Sequence, residues 1–171
     1  TSNPLIALYF ACENYANDKS DGEVKVLTIP RAEIKYYDSD TVTILSNLSK
    51  QPKGFLKSCI DDKASPFYIR LMDDIKKERP YFEQKIAPES INSVICVKPK
   101  LNNARIIKQD GAFLLFGISD GKHDAAKIPA AYSASTAKKR FLVDKDSKEK
   151  IIGQLERIGI SAATIYPEID K

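Results

Sequence analysis

Tryptophan is absent from the chain, histidine and methionine occur once each, and glycine only seven times in 171 residues. No apolar run approaches the ~18–20 residues that a membrane span needs, so a soluble protein is expected. The three cysteines, Cys12, Cys59 and Cys96, are an odd number without CxxC spacing or a Cys/His cluster. That pattern indicates neither a disulfide framework nor a zinc site, and it points to reduced thiols in the cytoplasm. Spaced catalytic motifs are missing too: there is no Walker loop, GxGxxG, HExxH or GxSxG. The lone His123 sits between Asp120 and Asp124 in a turn-rich stretch, where a solvated loop histidine is the simpler reading than a general base. Lys and Arg outnumber Asp and Glu by 27 to 23, with both signs spread along the chain. Such a mild excess is no basic stripe, so nucleic acid is not indicated.

What is present is a chain with 43% hydrophobic residues, long enough for one domain with a sizeable core. Asn3 suits a helix cap and Pro4 the first helical position, with Leu5, Leu8, Tyr9 and Cys12 on one face and Ile6 and Phe10 beside it. Asp21-Gly22 turns the chain into a strand, EVKVLTI, which Pro30 closes, and RAEIKYYDSD reads as an irregular crossing. A short helix follows over TVTILSNLSK, capped by Asp40, and a longer one over ASPFYIRLMDDIKKE, with Phe67, Leu71 and Ile75 as its apolar stripe. Tyr81-Phe82 is expected to plug the next loop, and SVICVKP is a buried strand. Asn102 or Asn103 caps a helical turn, Gly111 breaks it, and AFLLF is a core strand. The stretch from Ile118 to Lys139 reads as a surface loop; RFLVD is the last strand, and SKEKIIGQLERIGI is a helix with Ile151, Leu155 and Ile158 inward and Gly159 at its end.

Together these elements predict an α+β fold: one mixed sheet of at least four strands, EVKVLTI, SVICVKP, AFLLF and RFLVD, with helices packed on it. Leu5, Leu8, Phe10, Val24, Val26, Val94, Val97, Phe113, Leu115, Leu142 and Leu155 are the expected core, with Phe113 at its centre.

The opening stretch, T-x-N-P-L-x-A-L-Y-F-A followed by a polar spacer, an acidic-Gly pair and a strand, resembles the central motif of the FRG domain family. Thr1, Asn3, Pro4, Leu5, Ala7, Leu8, Tyr9, Phe10, Ala11 and Gly22 fit that pattern. Arg105, Ile106, Gln109, Gly111, Ala112 and Phe113 resemble a second family pattern, and SAATIYPEIDK resembles the end of the domain. The Phe-Arg-Gly signature that names the family is not in the chain, so the resemblance implies the C-terminal part of a domain. A neighbouring strand is then expected from a preceding segment or from a second chain that completes the sheet.

The layout is also similar, more distantly, to that of mono-ADP-ribosyltransferases. The resemblances imply NAD as cofactor and ADP-ribosyl transfer in a bacterial defence or toxin setting. They put the catalytic groups in the turn Gln109-Asp110-Gly111-Ala112, with Gln109 and Asp110 as the candidates. No Glu stands just before the strand and the phosphate-gripping arginine would lie upstream, so the chain as given is expected to be inactive in that reaction. The alternative is a non-catalytic nucleotide-binding or protein-interaction module.

Physical chemistry points to the same places. Thr1, Ser2 and Asn3 stand at a helix N-terminus, whose N–H groups and dipole suit a phosphate, though Ser2 or Asn3 could simply cap the helix. Arg105 and Gln109 lie one turn apart and could enter the same cleft, or instead anchor the loop through a salt bridge and a turn hydrogen bond. Thr1, Ser2, Asn3 and Arg105 are therefore the candidate cofactor-binding residues.

Overall fold

Helix ends in this chain are set by asparagine, serine and proline. The structure, a computed structural model, describes residues 1–17, 19–83, 85–134 and 140–168, with only the backbone of residues 133 and 134. Helix α1 (Pro4–Cys12) begins where Asn3 Oδ1 accepts the N–H groups of Leu5 and Ile6. Strand β1 (Gly22–Lys25) follows, then a single 3₁₀ turn and strand β2 (Ile34–Tyr36). Helix α2 (Asp40–Leu48) is capped by Ser39, whose Oγ accepts from Val42, and α3 (Pro66–Glu78) starts on its proline. After α4 (Pro88–Ile91) and β3 (Val94–Lys98), Asn103 caps α5 (Ala104–Lys108) as Asn3 caps α1. Strand β4 (Phe113–Phe116), α6 (Ala130–Ala134), β5 (Arg140–Val143), α7 (Lys148–Arg157) and α8 (Ala162–Ile165) complete the order.

The chain folds into two compact units, each drawn from separate stretches. The first comprises Thr1–Ile29, Pro99–Phe113 and Ala130–Lys171; the second, Pro30–Lys98 and Leu114–Pro129. In the first unit β1 and β5 form a two-stranded antiparallel ribbon in which Gly22 faces Val143 and Lys25 faces Arg140. Helices α1 and α7 bury Ile6, Tyr9, Cys12, Ile152 and Leu155 with Val143 and Ile165. Helix α7 ends on Gly159 at φ +85, with Gly159 N–H donating to Glu156 O at 3.0 Å and Ile160 N–H to Leu155 O at 2.9 Å. This doubly bonded helix end needs a left-handed residue, which glycine supplies without strain.

The second unit holds a three-stranded sheet in the order β2, β3, β4, with β2 parallel to β3 and Ile34 opposite Cys96. Its core gathers Leu45 and Leu48 of α2, Tyr68, Leu71, Met72 and Ile75 of α3, and Phe55, Ile95, Val97 and Ile118. A polar seam runs beside this core. Asn47 Nδ2 donates to Glu78 and Gln51 Nε2 to Asp74, whose carboxyls are held below their ordinary range chiefly by bonds from Lys50 and Lys77 respectively.

The α+β class stands, with helices and mixed sheets both present. The single sheet of four or more strands does not: β1 pairs only with β5, while β3 and β4 belong to a separate sheet. Alternating residues announce a strand but carry no information about its partner. The crossing segment expected to be irregular contains β2, and EVKVLTI is strand only to Lys25. Helix α1 turns Ile6, Tyr9 and Cys12 inward and leaves Leu5 41% exposed; its apolar residues go all the way round, so spacing alone could not select the face.

Phe113 and Leu142, expected in the core, are exposed, as are Ile158 and Tyr81; Leu8, Phe10, Val24, Val26 and Leu115 are half-buried, whereas Val94, Val97 and Leu155 are buried as expected. The expected surface loop after Phe116 anchors itself through buried Ile118, Ala126 and Tyr132, and residues 135–139 and 169–171 lie outside the described part. Among the described residues no helix is long and apolar enough to cross a membrane.

Candidate functional site

The turn after α5 explains why Asp110 meets the start of α1. Gln109 closes α5, and Asp110 takes a left-handed backbone with φ 46, which aspartate tolerates better than most residues. Its N–H donates to Ile107 O at 3.2 Å while Gly111 N–H donates to Ile106 O at 2.8 Å, the same double closure seen at Gly159. The sequence-level break at Gly111 thus falls one residue beyond the left-handed position. The Asp110 carbonyl, turned outward by this geometry, accepts from Ser2 N–H at 2.9 Å and Ser2 Oγ at 3.2 Å. Asn3 Nδ2 donates to the Asp110 carboxylate at 3.0 Å, joining positions 107 residues apart in sequence.

Two stretches singled out separately in the sequence therefore meet in the first unit. Their polar atoms are, however, already engaged with one another. Asn3 N–H donates to Thr1 Oγ1 at 3.0 Å, Asn3 Oδ1 accepts the N–H groups of Leu5 and Ile6, and Ala7 N–H donates to Asn3 O. Pro4 has no N–H to offer. The positive end of α1 faces the Asp110 carboxylate, so the helix terminus is satisfied in both hydrogen bonds and charge.

Arg105 and Gln109 are turned toward the C-terminal segment. Arg105 pairs with Glu168 at 3.3 Å, and its guanidinium lies 4.7 Å from the centre of the Tyr166 ring; Gln109 Nε2 donates to Ile165 O at 3.4 Å. Both side chains thus serve as loop anchors. Tyr166 completes the cluster by donating its hydroxyl to Glu13 and packing on Phe10, with ring centres 6.4 Å apart. Burial, reinforced by the bond to Glu13 and its charge, pushes the Tyr166 hydroxyl up to about 12. Sequence reading missed Glu13 and Tyr166 as partners. The only signal was the aromatic-Pro-acidic run Tyr166-Pro167-Glu168; nothing around Glu13 distinguishes it from a solvated acid.

Because Tyr166 titrates higher in the folded chain than when unfolded, its contribution to stability is complete below the unfolded value near 10 and is lost as pH rises toward about 12. Tyr166→Phe should flatten the alkaline decline of stability measured by urea unfolding between those limits. An unchanged alkaline profile would show that Tyr166 is not the titrating group.

Two cavities lie in the second unit, away in sequence from these residues. One of about 520 Å³ is lined by Asp40, Glu78, Arg79, Tyr81 and Lys85, and one of about 300 Å³ by Ile60, Lys63, Tyr68 and Ile86. Neither is lined by Thr1, Ser2, Asn3, Arg105, Gln109 or Asp110. In the larger, Arg79 pairs with Asp40, Glu78 with Lys50 and Lys85 with Glu83, which leaves no unpaired charge among those five lining residues to grip an ion. No group of three or more His, Cys, Asp or Glu side chains capable of holding a metal occurs among the described residues. The Cys12 thiol is fully buried and pushed up by that burial, against the opposing pull of the Lys148 ammonium, so it is no nucleophile in this state. Comparison with protein-family models, with curated proteins and with solved structures returns no match to this chain.

Proposed function

We propose that the chain is FRG-type and works as a non-catalytic module that binds a protein partner, in a cytoplasmic bacterial defence or toxin setting. The observation that carries the non-catalytic part of this reading is the closed junction at the start of α1, where the first-turn N–H groups are taken by Asn3 and the Asp110 carboxylate stands at the positive end. Those residues do not fit the pyrophosphate of NAD. A phosphate there would meet a carboxylate, and Arg105, the cation expected to hold it, is already paired with Glu168.

The meeting of Ser2 and Asn3 with Asp110 favours a second reading, NAD-dependent ADP-ribosyl transfer with an ADP-ribosyltransferase-like layout. It supports the family resemblance because both motif stretches converge on one place. In that reading Gln109 and Asp110 carry the chemistry, and Thr1, Ser2, Asn3 and Arg105 hold the cofactor.

Calorimetric titration separates the two. With NAD, and with AMP as a simple mononucleotide, the chain should give no saturable heat at millimolar ligand. Saturable NAD binding that Arg105→Ala weakens by roughly 10-fold or more, as expected for a charge-assisted bond of about 1.5–3 kcal/mol, would overturn the module reading and support the second.

A further inference from the structure

The smaller cavity of the second unit differs from the larger in the sign of its lining. Ile60, Lys63, Tyr68, Lys85, Ile86 and Ala87 line it, so the described residues around it include two lysines and no carboxylate. Ile60 ends a 3₁₀ turn, Tyr68 lies in the first turn of α3, and Ala87 is the residue before α4. Ile60 and Tyr68 belong to the buried core of the unit and Ile86 packs against it. The apolar wall is thus a fixed part of the core and need not form around a ligand. The two lysines are exposed, which keeps their ammonium groups hydrated and charged. Lys63 enters no ion pair among the described residues, although Asp61 and Asp62 precede it; Asp62 instead accepts the Ala64 N–H at 2.9 Å. Lys85 pairs with Glu83 at 3.7 Å, but with side chains 87% and 82% exposed such a pair is worth little and exchanges readily for another carboxylate.

We propose that this cavity binds a small apolar carboxylate, a body of about the size of a phenyl ring carrying one acid group on a short arm. The size follows from the volume: about 300 Å³ is roughly twice the ~150 Å³ that holds one benzene. The apolar body lies on Ile60, Tyr68 and Ile86, and the carboxylate draws on Lys63 and Lys85, which line the same space. The sign follows from the lining. A cation would meet two ammonium groups and no acid, a neutral hydrocarbon would leave both charges unused, and a bare inorganic anion would gain nothing from the apolar wall. Because both ammonium groups stay hydrated, the attraction is modest and screened by salt, and the affinity is on the order of millimolar. This site goes beyond the module reading and does not rest on it.

A titration followed through the amide NMR spectrum tests it. Phenylpropionate should shift the amides of Ile60, Lys63, Tyr68 and Ile86 saturably at millimolar concentration. Propionate, which lacks the ring, and phenylpropanol, which lacks the charge, should each bind at least about 5-fold more weakly. Lys63→Gln should weaken phenylpropionate by roughly 3- to 5-fold and leave phenylpropanol unchanged, and added salt should act in the same direction. Since Lys63 is exposed, the variant should fold, which unchanged amide positions away from the cavity would verify. An absence of saturable shifts, shifts centred elsewhere, equal binding of propionate or phenylpropanol, or a folded Lys63→Gln chain that binds phenylpropionate as tightly as wild type would overturn the proposal.

Discussion

Gly117→Ala should abolish most of the stability of the second unit. A Cβ at Gly117 would fall inside the van der Waals envelope of the Ile91 carbonyl, and it would also crowd Ser93 O at 2.9 Å. The neighbour is backbone, with no flexible side chain to move aside. Gly117 N–H donates to Ser93 O at 2.8 Å, Ile118 N–H to Ile91 O at 2.9 Å, and Ala126 N–H to Gly117 O at 3.0 Å, so separating these segments enough to admit a methyl group sacrifices bonds of this set. Overpacking at about 1–3 kcal/mol plus two lost backbone bonds at about 1 kcal/mol each gives a cost on the order of 3–5 kcal/mol. That approaches the whole stability of a marginal domain. Gly153→Ala is the control: it lies within α7 with nothing within 4 Å of its added Cβ, and it should stabilise by about 0.5–1 kcal/mol. Urea midpoints decide the matter, and a Gly117→Ala midpoint equal to wild type would mean that the close approach to Ile91 is not real.

The second large effect separates two phenylalanines. Phe55 is 1% exposed and meets Phe67 edge-on, ring centres 6.3 Å apart, within the core of the second unit. Truncating it to alanine should cost about 3–5 kcal/mol, the range for a large buried aromatic. Phe113 is 52% exposed, and Phe113→Ala should cost no more than about 1 kcal/mol. From the sequence alone Phe113, in a continuous apolar run, is the expected centre of the core, whereas Phe55 follows Pro52 and Gly54 and carries no such signal. Unfolding both variants side by side tests the assignment of the core. Equal losses, or a larger loss at Phe113, would place the hydrophobic centre on β4.

Several elements were legible because the residues that define them act locally. Asn3 and Asn103 cap helices through their own side chains, Pro4 and Pro66 open them, and Gly159 closes one with a left-handed backbone. Each of these effects needs only a few neighbouring residues, so one sequence suffices. From the sequence Asn3 and Gln109 are expected in one open pocket; in the fold Asn3 meets the Asp110 carboxylate in a closed junction while Gln109 turns to Ile165 O, because whether a helix terminus is open to a ligand depends on which acid the fold brings to it. Tertiary structure alone decided that β1 pairs with β5, that α1 buries Ile6 and exposes Leu5, and that Tyr166 finds Glu13 across 153 residues. A strand or an apolar helix presents several equivalent ways to bury its surface, and the choice among them lies in the summed packing of distant segments, which local spacing does not encode.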